Sequence, residues 1–248
     1  MTEHKSNFPD FYITAPQPCP YLSYRKERKL FTHLTKDKPN VLIDNLLKGG
    51  FRRSQNIAYM PYCDNCSACV SVRIVVDEFE PKRTLKRAQN KNADLKITRM
   101  PANPTIEQYH LFKQYLHSRH AQGEMADMSL LDYGVMVEES VIKTFITEYR
   151  LSHNTEEMQS SEDETLIGVA LCDYLSDGIS MVYSFFDTTL DSRSLGTYMI
   201  MEQIQYAKKI NLPYVYLGYW INGSQKMKYK TRFKPQERLT PKGWVRFE

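Results

Sequence analysis

Apolar and polar positions along the 248 residues switch between a period near two and a period near 3.6. Residues 56–63 and 70–76 read as strands, and the second, VSVRIVV, is rich in β-branched side chains. Residues 166–174 and 179–187 flank Ser176-Asp177-Gly178, a hairpin signal. Residues 141–149 (VIKTFITEY) and the aromatic run 214–221 complete the strands. Helical spacing marks residues 105–120, where Ile106, Tyr109, Phe112 and Leu116 predict one face. It also marks 196–209, where Ile200, Ile204 and Ala207 share a stripe until Asn211 and Pro213 stop the helix. A short helix at 42–47 ends at Gly49-Gly50, and 84–94 predicts a polar, basic helix.

The punctuation between these elements suggests two parts. Pro9, Pro16, Pro18 and Pro20 make the first 20 residues turn-like, and residues 152–165 predict a polar, acidic surface turn. Pro101 and Pro104 mark a boundary, giving an N-terminal domain over 1–98 and a C-terminal domain over 99–248. The order strand, strand, helix, strand predicts an α+β domain with a mixed sheet. No internal repeat is present.

Composition narrows the class. A chain 42% hydrophobic and 25% charged can offset its ordering entropy, which excludes whole-chain disorder. No apolar run approaches the ~20 residues that span a bilayer, and the first ten residues carry no signal-peptide core. A soluble, cytoplasmic protein without a membrane partner is expected. The net charge of +4 conceals two basic blocks: residues 48–100 and 219–248 each carry +6, while 152–166 hold five acids and no Lys or Arg. Such blocks serve either as a nucleic-acid footprint or as ordinary solvated faces.

The five cysteines are odd in number, which suits a reducing compartment. Cys63, Cys66 and Cys69 form a C-x2-C-x2-C run, and Cys19 is the other candidate of the N-terminal part. The run shares its first spacings with iron–sulfur segments, but Arg73 stands where a fourth cysteine would. Structural zinc, an iron–sulfur cluster and reduced thiols packing a tight turn all suit these four residues. Cys172, inside a predicted strand, reads as a small buried residue.

Several segments resemble one family. They are Gly50-Phe-Arg-Arg-Ser54, the triple-cysteine run after Tyr62, Ser194-Leu-Gly-Thr-Tyr198, Tyr216-Leu-Gly-Tyr-Trp-Ile221 and Lys226-Met-x-Tyr-Lys-x-x-Phe233. In that order they are similar to the aminoacyl-tRNA–protein transferases of the N-degron pathway, and the cysteine spacing looks like the bacterial branch. Eukaryotic arginyltransferases are more distant: they carry a C-x2-C pair near the N-terminus, where Cys19 is followed by Leu22. The resemblance implies a small N-terminal domain joined to a GNAT-like acyltransferase domain. It implies transfer of leucine from leucyl-tRNA to proteins beginning with Asp or Glu, a mark for degradation, with arginyl-tRNA as the alternative donor.

That chemistry assigns roles to residues. The donor is an ester and the acceptor an amine with a pKa of about 8, so positioning dominates and no cofactor is required for transfer. Asp173 is expected to orient or deprotonate the amine, because a carboxylate on a core-facing strand is costly unless paired or functional. Tyr183 is its candidate helper and His120 the alternative base. Lys226, Lys230, Arg232 and Arg119 are candidates to pair with the acceptor carboxylate. Tyr219, Trp220 and Tyr229 are candidates to line a pocket or stack on the terminal adenosine. Arg83, Lys86, Arg87 and Lys91 fall on one helical face and, with Arg52 and Arg53, are candidates to follow tRNA phosphates. Two rivals stand beside this reading. An acetyl-CoA enzyme would cradle pyrophosphate at Arg193-x-x-Gly196-x-Tyr198, where the bulk of Tyr198 is expected to obstruct it. A non-catalytic RNA-binding protein is the other.

Overall fold

The computed structural model describes residues 9–36, 40–121, 123, 125–152 and 164–247, so most of the expected acidic turn lies outside the described residues. The N-terminal part forms β1 (Tyr12–Ile13), β2 (Gln17–Pro18), β3 (Lys26–Glu27), β4 (Lys29–His33), α1 (Asn40–Lys48), β5 (Arg52–Ser54) and β6 (Ile57–Pro61). Then come β7 (Cys69–Val75), α2 (Arg83–Asn90), β8 (Leu95–Pro101), α3 (Ile106–Arg119) and α4 (Leu130–Glu138). The chain continues through β9 (Thr144–Ser152), β10 (Glu164–Leu175), β11 (Gly178–Phe186), α5 (Leu195–Lys209) and β12 (Tyr214–Ile221). Strands β13 (Gln236–Thr240) and β14 (Gly243–Phe247) close it.

Eight strands share one sheet in the order β14-β13-β7-β12-β11-β10-β9-β8. Every neighbouring pair in it is antiparallel except β11 and β12, which run parallel. This is the α+β architecture with a mixed sheet that the order of elements predicts. A second sheet, β1-β4-β6-β5, belongs to the small N-terminal part.

The expected boundary at 98/99 falls inside a strand of the large sheet. Residue 98 lies within β8, and β7 sits mid-sheet between β13 and β12. Pro101 is the last residue of β8, the edge strand, where a missing N–H costs no ladder bond. The prolines therefore punctuate a strand end, and the part that stands apart finishes near β6.

Apolar cores lie on both faces of the large sheet. On one, Leu195, Met199, Ile200, Ile204 and Ala207 of α5 meet Val215, Leu217 and Ile179. On the other, Leu111, Phe112 and Leu116 of α3 meet Tyr133, Val169 and Phe185. The α3 face differs from the expected one, since Ile106 is exposed. Thr105 and Gln108 form a capping box that sets Ile106 in the first turn, and Gln108 turns inward to donate to Glu148 at 2.8 Å.

One contact ties the small part to the sheet. Arg53 of β5 donates to Asp173 of β10 through Nε at 2.7 Å and Nη2 at 2.8 Å. Thr144 adds a hydroxyl bond to Asp173 at 2.7 Å, and the two ionic side chains are 1% and 0% exposed. Both roles expected from sequence change here. Asp173 is buried as its position foretold, but both carboxylate oxygens are occupied, so it is a structural anion and not the base. Arg53 is its counter-ion and has no surface to offer a phosphate. Asp173→Asn should lower the unfolding free energy in urea by about 3–5 kcal/mol, because it strands a buried guanidinium. The double change Arg53→Met with Asp173→Leu should cost clearly less than Asp173→Asn alone.

Candidate active site

The parallel pair β11–β12 is in register only from Gly178 opposite Tyr214 to Ser180 opposite Tyr216. Gly178 permits this close start, since a Cβ there would lie 2.5 Å from the Tyr214 carbonyl oxygen. Beyond it the strands part. Between Tyr216 and Gly218 the β12–β7 register shifts, and Gly218 adopts φ +74°, a conformation disfavoured for other residues. The result is a gap in the middle of the sheet.

Two cations cover the carbonyls that face this gap. Arg52, the neighbour of Arg53 in β5, points the opposite way, as alternation along a strand requires. Its Nη2 donates to the Met181 carbonyl at 2.5 Å and the Val182 carbonyl at 3.3 Å. Its Nη1 is buried without a hydrogen-bond partner. On the other side, Lys230 Nζ donates to the carbonyls of Leu217 at 2.8 Å and Tyr219 at 2.6 Å. Burial, and secondarily the charge of Arg52, lower the Lys230 ammonium to about 7. Arg52 is thus an internal cation, not the exposed phosphate contact expected from its place in a basic block.

Tyrosines lie around this opening, and a histidine lies near the end of β11. Tyr219 donates to the carbonyls of Gly50 at 2.9 Å and Tyr59 at 3.2 Å, which anchors it to the small part. Tyr229 is 38% exposed, and its hydroxyl is pushed up to about 12 by burial, then by Tyr115. Tyr115 of α3 lies 5.2 Å from the Phe186 ring at the end of β11 and 5.7 Å from His120. The His120 imidazole is held below its ordinary pKa by burial, then by Lys226 and Arg119, so it is neutral at physiological pH. Tyr183 is half-buried beside Phe112 and its hydroxyl pKa is raised by burial, which makes it a weak acid rather than a base.

Other candidates fall elsewhere. The Trp220 ring carries the Arg238 guanidinium at 4.0 Å and packs on the core, so it offers no free stacking surface on that side. Arg119 is exposed and paired with Asp191 at 2.8 Å, while Lys226 and Arg232 are exposed. Tyr115 and Tyr59, which sequence reading missed, lie off the apolar stripes and carry no pattern of their own. Arg83, Lys86, Arg87 and Lys91 do converge, lining with Asn90 a surface groove of about 520 Å³. Leu85 and Ala88 bury the other side of α2.

The acetyl-CoA segment is altered for a different reason than expected. Tyr198 is buried with its ring 6.0 Å from Tyr149, so its bulk points into the core and obstructs nothing at the surface. Instead Arg193 is bound to Asp94 through two 2.8 Å contacts, and Lys91 caps the Ser192 carbonyl at 2.7 Å. The gap carbonyls are held by Arg52 and Lys230.

Cys19, Cys63, Cys66 and Cys69 are free and half-exposed, and Cys172 is buried in the core. Burial, followed by Cys63, Cys19 and Cys66, pushes the Cys69 thiol up to about 12. The donor chemistry of thiols suits a thiophilic metal. Among the described residues, however, no three His, Cys, Asp or Glu converge as metal ligands.

The Lys230 shift has a sign that can be measured. Between about 7 and the ordinary 10.5, the unfolded chain binds a proton here that the folded chain does not, so stability rises with pH across that window. Urea titrations of the wild type should show this rise relative to Lys230→Met, with the difference flattening below about pH 7.

Comparison with known proteins identifies the family. Residues 107–240 match the family described as arginine-tRNA-protein transferase, C terminus, and residues 17–87 match its N terminus. Aspartate/glutamate leucyltransferase of Nitrobacter hamburgensis is 54% identical over the whole chain and 96% of the relative. That of Azorhizobium caulinodans is 52% identical over all of both proteins. Among solved structures, FemX aligns with a TM-score of 0.49 and 9% identity over 85% of this chain and 68% of its own. No helix among the described residues is long and apolar enough to cross a membrane. With both family segments in order and full-length relatives above half identity, the chain belongs to the aminoacyl-tRNA–protein transferase family that includes the aspartate/glutamate leucyltransferases.

Proposed function

We propose that this enzyme moves leucine from leucyl-tRNA to the α-amino group of proteins that begin with Asp or Glu. The observation that carries the reading is the full-length similarity to relatives named for that specificity, at 52–55% identity. The gap between β11 and β12, with cations on both of its edges, supports an acidic acceptor.

In the reaction the acceptor nitrogen attacks the leucyl ester carbonyl, and the tetrahedral intermediate expels the ribose oxygen as the amide forms. The ammonium must first lose a proton. Neutral His120, beside Tyr115 at the end of β11, is the group that accepts it. The leaving ribose oxygen takes up a proton in turn. Because the ester is already activated, orientation supplies most of the acceleration and no cofactor enters any step. Neutrality of His120 at physiological pH requires no carboxylate partner, which fits the withdrawal of Asp173 into its ion pair.

The groove along α2 supports tRNA docking through phosphates. Four exposed cations there attract a polyanion without reading its sequence.

Transfer of labelled leucine should reach peptides beginning with Asp or Glu and not Ala, and ribonuclease should abolish it. Transfer from arginyl-tRNA at comparable rate would overturn the leucyl assignment, and label from acetyl-CoA would overturn the reaction class. Neutralising Arg83, Lys86, Arg87 and Lys91 together should raise KM for leucyl-tRNA by about 10-fold or more and flatten its dependence on salt, with KM for the peptide unchanged.

A further inference from the structure

Arg52 and Lys230 form an unbalanced pair of internal cations. Arg53, Arg73, Arg99, Arg150 and Arg193 each meet a carboxylate. Among the described residues no carboxylate lies within ion-pair distance of Arg52 or Lys230, and no acidic group contributes to the environment of Lys230. Each uses part of its donor capacity on strand carbonyls, and Arg52 Nη1 is left buried and unpaired. Two like charges held together in the interior are costly unless an anion completes the set.

We propose that Arg52, with Lys230 of the turn after β12, receives the side-chain carboxylate of the acceptor's N-terminal Asp or Glu and is the residue that selects acidic acceptors. The inference rests on the acceptor class proposed above. The narrowness of the site counts against an RNA phosphate, since the cavity beside Arg52, Ser71 and Gly218 is about 10 Å³. The Arg52 guanidinium lies so close to Gly218 that a Cβ there would come within 2.8 Å of its carbon. A phosphate flanked by two riboses would have to enter with both sugars, whereas the exposed α2 groove offers phosphates an open surface. A carboxylate held by the free Nη1 also fixes the α-amine a few bonds away, on the side where Tyr229 lies near Arg52. A site built around a polar group of the substrate discriminates strongly against analogues that lack it, because its own buried donors are then left unpaired.

The test compares kcat and KM for peptides beginning with Asp, Glu, Asn and Gln, using leucyl-tRNA as donor, in wild type and Arg52→Gln. Arg52→Gln should lower kcat/KM for acidic peptides by about 100-fold or more, mainly through KM, and bring the acid-to-amide ratio near unity. KM for leucyl-tRNA should stay within about 2-fold. An unchanged acid-to-amide ratio overturns the proposal, as does a rise in KM for leucyl-tRNA with peptide KM intact. Should Arg52→Gln fail to fold, Arg52→Lys, which keeps the cation, should show an intermediate ratio. Nitrogen-labelled lysine in the wild type gives a readout independent of turnover. The Lys230 titration should move to higher pH with an aspartyl peptide and stay put with an alanyl peptide. Response to inorganic phosphate but not to the aspartyl peptide would overturn the carboxylate assignment. If the wild type transfers leucine to no peptide, the proposed function fails, and this titration alone decides the anion site.

Discussion

The ion pair between Arg53 and Asp173 is the contact on which the geometry of the opening depends. Two charged groups with almost no exposure are stable only because the guanidinium meets both carboxylate oxygens and Thr144 fills a remaining position. The pair fixes β5 against β10, and a strand fixed by one side chain is fixed for the next. Arg52 therefore enters the sheet gap because Arg53 leaves in the opposite direction. Tyr219 on Gly50 and Trp244 on the Lys48 carbonyl, at 3.0 Å, hold the same small part at two further places.

A parallel pair that separates after three registered positions leaves backbone acceptors without partners. In most sheets the next strand would satisfy them. Here side-chain cations from opposite ends of the chain do so, Arg52 from before β7 and Lys230 from the turn after β12. Covering these carbonyls with cations makes the gap electropositive. The gap is narrow and internal, while the basic surface along α2 is broad and exposed.

Local chemistry of neighbouring residues explains what was readable in the chain and what was not. The α5 stripe of Ile200, Ile204 and Ala207 is buried as its spacing requires, and β12 occupies the predicted residues because aromatic and β-branched side chains admit little else. Short strands such as β5 and β13 escaped notice, since three to five residues rich in Arg, Gln and Glu carry no apolar period. Asp173 was recognisable as an anomaly, a carboxylate at a core position, but its partner lies 120 positions away. Arg52 and Arg53 are alike in sequence and opposite in fate.

Sequence alone determined the family, the reaction class, the elements with strong periodicity and the basic face of α2, because each rests on residues close in the chain. The three-dimensional arrangement decided which charges are ligands and which are struts. Burial and pairing set the state of an ionisable group, and both depend on contacts between β5, β10, β12 and the turn beyond it. Only when those segments meet does Asp173 lose its candidacy as a base, Lys230 fall towards neutrality and Arg52 acquire a donor with nothing to bind.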